Sequence, residues 1–383
     1  PKDYQTTQYD QPTNADGVLE LVDGFRVGVE RAHIEEDTGK STHIGGGGRI
    51  NDAVQSLVDY NRAGVPLVEI VSRPDIRTID HAKAYVDELR GILLATDVSD
   101  ARMEEGSMRV DANVSVRPHG SGELRTRCEI KNINSVRSLG RAIEYEARRH
   151  IDLYDNGDAP RQETRHWDEE GGRTTPGRSK EDADDYRYFQ EPDLVPLEPS
   201  AETIAAIDEA LPALPSARRA ALSAATTADA DDITILVERG QDALVLAAIE
   251  AGAEPAKAVT RAVNDLAVDV WSKVTASSFA ALIGMEAAGD LTATQAKQVL
   301  ADLAEKGGDP ATHAADRGFE AMDTGELESL VDQLIADNPD EWARFCEGDR
   351  KIQGFFVGQV MKATQGQADG KAVNQLLGAK SQS

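Results

Sequence analysis

The residue pattern of this 383-residue chain changes near residue 200, and that change constrains its fold more than any other feature. Before residue 200, short segments alternate between apolar and polar residues, with Gly-rich and Pro-rich breaks between them. Such alternation is typical of β-strands with one buried face. After residue 200, Ala, Leu, Asp and Glu recur at helical spacing. Pro192, Pro196 and Pro199 lie at the change, so we predict an α+β domain over residues 1–200 and helical domains after it.

Two pairs of alternating segments predict an antiparallel sheet in the first domain. Residues 17–22 and 25–34 are typical of strands joined by a tight turn at Asp23-Gly24, where the Asp-Gly pair supplies positive φ angles. Residues 107–118 alternate strictly between apolar and polar side chains, and residues 124–131 repeat the alternation after a short turn. The last two segments are therefore predicted to be antiparallel neighbours.

Helices are predicted between the strands and throughout the second half. Asp80 is predicted to cap a helix over 81–95, and Ser135 is predicted to cap a helix that ends near Gly157. In the second half, the spacing of apolar residues predicts several short helices, which include 204–210, 243–250, 256–270, 293–305, 326–336 and 355–363.

Composition argues against several classes of protein. Cys128 and Cys346 are the only cysteines, too few for a disulfide framework or a Cys–His metal site, which favours a reducing cytoplasmic compartment. No apolar run reaches the roughly 18 residues that a membrane-spanning helix needs, so no membrane partner is expected. The net charge of −27 argues against a surface that binds nucleic acid broadly. Residues 351–383 carry a net charge of +3, which suits either local tRNA contact or a solvated helical terminus.

The common catalytic motifs do not occur in the sequence. Gly39-Lys40-Ser41 imitates the end of a phosphate-binding P-loop, but Ile34 stands where that motif requires its first glycine. Neither a His-Glu-x-x-His zinc motif nor a Gly-x-Ser-x-Gly nucleophile motif is present. Zinc proteases and serine hydrolases are therefore not predicted.

Acidic residues in strand positions are the strongest candidates for chemistry. Glu36 ends the second strand, Glu69 interrupts the apolar run 66–71, and Asp111 and Glu129 lie on the polar faces of the paired strands. A carboxylate within a sheet is costly unless it is paired or binds a cation. Converging carboxylates without cysteines suit Mg²⁺, and basic neighbours could neutralise phosphate oxygens. Salt-bridged side chains on a solvated sheet face are the alternative interpretation of the same pattern.

Several long motifs resemble the B subunit of the GatCAB-type tRNA-dependent amidotransferases, the GatB/GatE family. The matching segments, in order along the chain, are Tyr4–Pro12, His33–Lys40, Asp59–Val71, Met103–Asn113, Lys131–Ser135, Gln162–Arg165, Asp185–Asp193 and Val357–Ala363. The resemblance covers nearly the whole chain, and its motifs are far more specific together than any one of them alone.

The resemblance implies both a fold and an activity. It implies an antiparallel-sheet cradle with kinase activity over 1–200, a helical domain over 201–315, and a tail domain related to the YqeY family over 316–383. Members of that family work in a heterotrimer with A and C subunits, of which the A protein releases ammonia from glutamine. The B protein uses ATP and Mg²⁺ to phosphorylate the side-chain carboxylate of Glu-tRNA(Gln) or Asp-tRNA(Asn), and ammonia then displaces the phosphate.

The motif matches also imply roles for particular residues. The implied metal ligands are Glu36, Glu69, Asp111 and Glu129. The implied catalytic acids are Glu36, Glu105 and Asp111, with Glu104 beside them. The implied phosphate contacts are Lys40, Arg109 and Lys131, and the implied tRNA contacts are Lys362 and Lys371. The family's opening strand, which carries a Glu-x-His pair, is missing from these residues, and we expect two further metal ligands from it. A non-catalytic, tRNA-binding scaffold protein is the alternative function.

Overall fold

The chain divides into two compact units, Pro1–Ser216 and Ala217–Ser383. The computed structural model describes residues 6–44, 54–177, 192–267, 270–319, 324–347, 349–364, 368 and 370–381. Within these ranges, the side chains of Lys40, Ser41, His43, Thr324, Arg350, Lys351, Gly370 and Lys371 are not described.

Strands dominate the first unit, and helices separate some of them. In chain order the elements are β1 (Asn14–Glu20), β2 (Arg26–Glu36), β3 (Lys40–Ile44), β4 (Gln55–Asp59), β5 (Pro66–Ser72), α1 (Ile79–Ala95), β6 (Val110–Val114), β7 (Cys128–Ile133), α2 (Val136–Asp155), β8 (Thr164–Asp168), β9 (Arg173–Pro176) and α3 (Ala201–Ala210).

In the described part of the chain, these strands form three sheets. β1 and β5 flank β2 in an antiparallel sheet, and β3 pairs with β4. The third sheet has the order β6-β7-β8-β9, in which β7 and β8 run parallel and the outer pairs are antiparallel. The predicted β1–β2 hairpin and the predicted antiparallel pairing of β6 with β7 are confirmed. The fold class is therefore α+β, but its sheets are antiparallel and mixed rather than uniformly antiparallel.

The turn between β1 and β2 differs in one detail from the prediction. Within the Asp-Gly pair, only Gly24 has a positive φ, of 82°. Asp23 instead accepts a hydrogen bond from the backbone N–H of Phe25 at 2.9 Å. An aspartate that bonds to the backbone two residues on stabilises a turn without adopting a left-handed conformation itself. The turn therefore needs one glycine rather than two residues with positive φ.

The predicted cap of helix α1 is wrong by two residues. The hydroxyl of Thr78 accepts a hydrogen bond from the backbone N–H of His81 at 3.1 Å and caps the helix, which begins at Ile79. Asp80 lies in the first turn, where its charge favours the positive end of the helix dipole. Threonine before Asp80 supplies the hydroxyl that an N-cap requires.

Helix α2 follows the prediction and packs with α1 and the strands around one core. Ser135 caps α2 by accepting a hydrogen bond from the N–H of Ser138 at 3.0 Å, and the helix ends at Asp155, just before Gly157. The buried apolar core includes Leu21, Val27, Val86, Ile130, Leu139 and Trp167. Because burial of one large apolar side chain contributes about 1.5–3 kcal/mol, this core fixes the strands whose other faces carry the acids.

From residue 215 onward, the described elements are all helices. They are α4 (Pro215–Ala225), α5 (Ala230–Glu238), α6 (Asp242–Glu250), α7 (Pro255–Asp265), α8 (Ala276–Ala288), α9 (Ala293–Lys306), α10 (Pro310–Asp316), α11 (Thr324–Asp337), α12 (Pro339–Cys346), α13 (Arg350–Ala363) and α14 (Gly370–Lys380). Each helix predicted in the second half overlaps an observed helix, so the all-helical prediction is confirmed.

One of these helices ends earlier than predicted. α7 ends at Asp265 instead of near residue 270, and Leu266 is extended. The side-chain amide of Gln241 donates to the carbonyl oxygens of Leu266 and Ala267, both at 3.4 Å. These carbonyls find a partner outside the helix, which allows the chain to leave the helical path there.

Two apolar clusters form the cores of the second unit. One lies within residues 222–314 and the other within residues 327–377. The predicted domain boundary between residues 315 and 316 falls between these clusters and stays a prediction, as does the boundary at residue 200. Among the described residues, no helix is both long enough and apolar enough to cross a membrane.

Candidate functional site

Two carboxylates converge on a buried histidine where β2 pairs with β5. His33 on β2 is fully buried, and its cross-strand partner on β5 is Glu69. The Nε2 atom of His33 lies 3.2 Å from Oε2 of Glu69 and 3.2 Å from Oε1 of Glu35. Glu35 joins the pair because residues two apart on a strand share a face. Glu69 is a candidate from the sequence, whereas His33 is not predicted as its partner.

The surroundings of Glu69 disfavour its negative charge. The side chain of Glu69 is 48% exposed. Its partial burial, and next the nearby charge of Glu35, raise the pKa of Glu69 above its ordinary value, although His33 acts in the opposite direction. Thr7 donates a hydrogen bond to Oε1 of Glu35 at 2.9 Å. The ring of Tyr9 packs edge-on against His33, with the ring centroids 6.2 Å apart. An additional positive charge at this place would therefore stabilise the ionised form of Glu69.

The three side chains also suit a divalent cation. One ligand atom each from His33, Glu35 and Glu69 lies within 4.8 Å of the other two. The Nδ1 atom of His33 is buried and has no hydrogen-bond partner among the described residues. Two carboxylates and one imidazole form a donor set that divalent ions such as Mg²⁺, Mn²⁺ or Zn²⁺ accept, in order of increasing affinity for nitrogen.

Glu36 lies apart from this group. Alternation along β2 places Glu36 on the opposite face of the strand from His33 and Glu35. Its carboxylate accepts a hydrogen bond from the hydroxyl of Thr6 at 3.1 Å. Among the described residues, no ligand cluster contains Glu36 together with Glu69.

Asp111 and Glu129 form a second acidic group in the other large sheet, and Lys131 lies between them. The ammonium of Lys131 forms an ion pair with Asp111 and lies 3.1 Å from Oε1 of Glu129. The other oxygen of Glu129, Oε2, accepts a hydrogen bond from the hydroxyl of Thr164 at 2.7 Å. Burial alone would lower the pKa of Lys131, but the hydrogen bond with Asp111 and the charges of Asp111 and Glu129 raise it. Lys131 is therefore held as a cation between two predicted metal ligands.

A β-bulge in β7 sets the position of Lys131. Val110 is paired with Ile133 and Ala112 with Ile130, so two residues of β7 lie opposite Asp111 alone. The second of these, Asn132, has a φ of 65°, and its side-chain amide donates to the carbonyl of Trp167 at 3.0 Å. Bulges of this kind redirect side chains, which no alternation pattern reveals.

The remaining predicted residues are spread over the first unit and the tail. Arg109 lies 3.3 Å from Asp37, which follows β2, and Arg62 also contacts this carboxylate at 3.0 Å. Glu105 is exposed and forms an ion pair with Arg102 at 2.7 Å, and Glu104 is exposed beside it. Lys362 is exposed on α13, whereas the side chains of Lys40 and Lys371 lie outside the described residues.

A buried polar network at Glu146 on α2 is not predicted from the sequence. One oxygen of Glu146 accepts from Arg149 and contacts His150 Nε2 at 3.1 Å, and the other accepts from Thr174 at 2.7 Å. Possible ligand atoms for a metal lie close together on Cys128, Glu146 and His150. The guanidinium of Arg149, however, contacts Glu146 at 2.5 Å and Cys128 Sγ at 3.4 Å, and it already supplies a positive charge there. Glu146 and His150 continue the buried stripe of α2 that contains Leu139. Ionisable residues at positions of a helix where apolar residues are expected could therefore have indicated this network from the sequence.

Comparisons with known proteins agree with this arrangement of an α+β unit followed by helices. Residues 1–205 match the family described as the GatB/GatE catalytic domain, and residues 250–380 match the family described as the GatB domain. The chain thus combines a catalytic domain and a helical domain of one kind of protein.

Similar curated proteins are named as the B subunit of an aspartyl/glutamyl-tRNA(Asn/Gln) amidotransferase. The protein of Frankia casuarinae is 46% identical over 98% of this chain and 78% of its own length. The protein of Streptomyces avermitilis is 44% identical over 98% of this chain and 78% of its own length. The protein of Paramagnetospirillum magneticum is 43% identical over 99% of this chain and 80% of its own length. The chain belongs to the family of aspartyl/glutamyl-tRNA(Asn/Gln) amidotransferase B subunits.

Proposed function

We propose that the chain takes part in the transamidation of mischarged Glu-tRNA(Gln) or Asp-tRNA(Asn) to Gln-tRNA(Gln) or Asn-tRNA(Asn). It is one component of a ligase that forms carbon–nitrogen bonds with glutamine as the amido donor (EC 6.3.5.-). The observation that carries this proposal is the similarity, over 98% of the chain, to the Frankia casuarinae protein named as an aspartyl/glutamyl-tRNA(Asn/Gln) amidotransferase B subunit. The N-terminal cradle acts as the kinase, the A and C subunits of the amidotransferase are the partners, and the A protein delivers ammonia.

The chemistry requires activation of a carboxylate. A carboxylate is a poor electrophile, whereas an acyl phosphate carries a good leaving group that ammonia can displace. Transfer of the phosphoryl group from ATP demands position and charge neutralisation more than covalent help from the protein. Acidic side chains can hold a divalent cation in position, and basic side chains can neutralise the phosphate oxygens. The first unit contains both kinds of side chain.

The two acidic groups are the proposed Mg²⁺ ligands. Glu69, with His33 and Glu35 beside it, forms one ligand group, and Asp111 with Glu129 forms the other. Bound Mg²⁺ would stabilise the negative charge that develops during phosphoryl transfer. The donor chemistry supports this assignment. In the first group, His33 lies beside carboxylates that a divalent cation could join. In the second group, the ammonium of Lys131 already pairs with both acids, and a divalent cation could take its place.

Further roles are proposed for residues outside these two groups. Glu36 is a further metal ligand and, with Glu105 and Asp111, a catalytic acid. Lys40, Arg109 and Lys131 contact the phosphates of ATP. Arg109 directly precedes β6, and Lys131 lies on β7, which pairs with β6. Arg109 forms an ion pair with Asp37, and Lys131 forms one with Asp111. Each cation can therefore exchange its carboxylate for a phosphate oxygen.

Reconstitution with the partner proteins tests the proposed function. The full-length protein, assembled with the A and C subunits, is expected to convert Glu-tRNA(Gln) to Gln-tRNA(Gln) only when ATP and Mg²⁺ are present. Ammonium chloride should replace glutamine, because the activating step does not require the glutaminase. ADP formation that depends on mischarged tRNA is the measurement. Normal tRNA binding without any such ADP formation would favour the alternative of a non-catalytic scaffold protein.

The tail helices are proposed to contact tRNA through Lys362 and Lys371. Replacing both lysines with alanine should weaken tRNA binding and lower the slope of log K against log salt by up to about two, since each lost phosphate contact removes about one. Binding titrations at several salt concentrations measure this change. Lys380→Ala is the matched control, because Asp332 at 2.7 Å and Glu328 at 3.4 Å already neutralise that ammonium. An equal slope in all variants would remove these two lysines from the tRNA contact.

A further inference from the structure

Lys131 occupies the place between the two acids that the proposed function assigns to a metal. Its ammonium pairs with both Asp111 and Glu129. These acids are also partly removed from solvent, with side chains 43% and 28% exposed, respectively. An ammonium and a divalent cation compete for close contact with the same two carboxylates, because their positive charges repel each other at that distance.

The backbone conformation of β7 positions Lys131 between Asp111 and Glu129. The bulge at Lys131 and Asn132 lies opposite Asp111, and the amide of Asn132 anchors it to the carbonyl of Trp167. On the other side, the hydroxyl of Thr164 donates to Oε2 of Glu129, and Oε1 of the same carboxylate lies 3.1 Å from the ammonium of Lys131. Hydrogen bonds therefore anchor the backbone at the bulge and the carboxylate of Glu129, whereas the ammonium of Lys131 is carried on a long, flexible stem.

We infer that Lys131 is a built-in competitor that keeps the metal from Asp111 and Glu129 until phosphate draws its ammonium away. The inference rests on the proposed function, because it takes these two acids as metal ligands and Lys131 as a phosphate contact. Without nucleotide, Lys131 neutralises the acids and the metal binds weakly. When nucleotide arrives, the ammonium moves to a phosphate oxygen and the acids accept the metal. Metal and nucleotide then bind with positive coupling, which must be reciprocal.

Removal of the Lys131 ammonium is expected to raise the apparent metal affinity. If Lys131 leaves both acids for about one tenth of the time, apparent metal affinity is reduced about tenfold, and removal of the ammonium restores it. This outcome is the opposite of the usual one for a binding-site mutation, since the variant is expected to bind the metal more tightly than the unmodified protein.

The test measures Mn²⁺ binding without nucleotide to the full-length protein in its complex, from the electron paramagnetic resonance signal of free Mn²⁺. Lys131→Met should tighten Mn²⁺ binding about five- to tenfold. Lys131→Arg keeps the competing charge and should stay within about twofold of the unmodified complex. Adding Asp111→Asn to Lys131→Met should abolish the gain. Thermal melting of each variant establishes that it is folded.

A control separates this competition from a general loss of positive charge. Arg173→Met removes one cation from β9 of the same sheet, where Arg173 lies 3.9 Å from Asp168, and it should leave Mn²⁺ affinity unchanged. If Lys131→Met binds Mn²⁺ no more tightly than the unmodified complex, the competition is refuted while the metal site stands. If Lys131→Met shows no Mn²⁺ binding that Asp111→Asn removes, both the assignment of Asp111 as a metal ligand and the competition are refuted.

Discussion

Replacing Glu146 with glutamine is expected to lower the free energy of unfolding of the first unit by about 3–5 kcal/mol, the usual cost of breaking a buried ion pair from one side. The carboxylate is fully buried and accepts hydrogen bonds from Arg149 and Thr174, with His150 and Arg165 also against it. Glutamine keeps the shape but removes the buried negative charge, so that Glu163 remains as the carboxylate that faces the guanidinium groups of Arg149 and Arg165. Because these groups come from α2, β8 and β9, the network joins the helix to the sheet.

Urea unfolding followed by the fluorescence of buried Trp167 measures this loss, with Trp271 and Trp342 replaced by phenylalanine. Glu144→Gln on the same helix is the matched control. Its partner Arg148 is 74% exposed, so this change should cost less than about 1 kcal/mol. Equal effects of the two substitutions would mean that the buried network contributes no more than a surface pair.

The difference in stability between the unmodified protein and Glu146→Gln is expected to depend on pH. Burial opposes the charge of Glu146, but its hydrogen bonds with His150, Arg149 and Thr174 prevail and hold its pKa far below the ordinary value of 4.5. A depressed pKa adds stability that is present above the unfolded-state pKa and is lost as the pH falls towards the folded-state pKa. The stability difference between unmodified protein and Glu146→Gln should therefore be constant near pH 7 and shrink below about pH 4.5.

Strand identity could be predicted from the sequence because it depends on local alternation. The apolar residues of 107–118 and 124–131 marked β6 and β7 and their pairing correctly, although both strands are shorter than the alternating segments. Glu69 stood out for an equally local reason, since a carboxylate interrupts an apolar strand. Residues at which a local rule fails are expected to carry function or strain.

The neighbours of each acid could not be predicted, because they depend on contacts between distant segments. His33 meets Glu69 only through the register of β2 against β5. Lys131 reaches Asp111 only through a bulge that no periodicity announces. Glu129 meets Thr164 through the parallel pairing of β7 with β8, which follows from the path of α2 between them. The sequence therefore predicted acids on strands, but not the two separate groups that they form.

Glu69→Gln is expected to lower ATP-dependent amidation by the reconstituted complex at least about a hundredfold, which corresponds to a loss of about 2.7 kcal/mol of transition-state stabilisation. Glutamine preserves the size of the side chain and an oxygen that can still face His33, but it binds a divalent cation poorly. Single-turnover formation of Gln-tRNA(Gln) with ammonium as the nitrogen source measures the effect on activation alone. Glu30→Gln on the same strand pair is the control, because Glu30 pairs with Arg31 and does not belong to the group of His33, Glu35 and Glu69.

Stability should change in the opposite direction from activity, which separates a lost ligand from a damaged fold. The pKa of Glu69 is raised by partial burial and by Glu35, so its ionised form destabilises the folded state as the pH rises through that pKa, and solvent screening of the 48% exposed side chain keeps this effect small. The neutral glutamine removes this charge, and the melting temperature of Glu69→Gln at pH 7 should equal or exceed that of the unmodified protein. Residues retained at a cost in stability are those that function requires. A variant that melts earlier and is inactive would make Glu69 structural, whereas one that melts later and is fully active would remove it from the metal site.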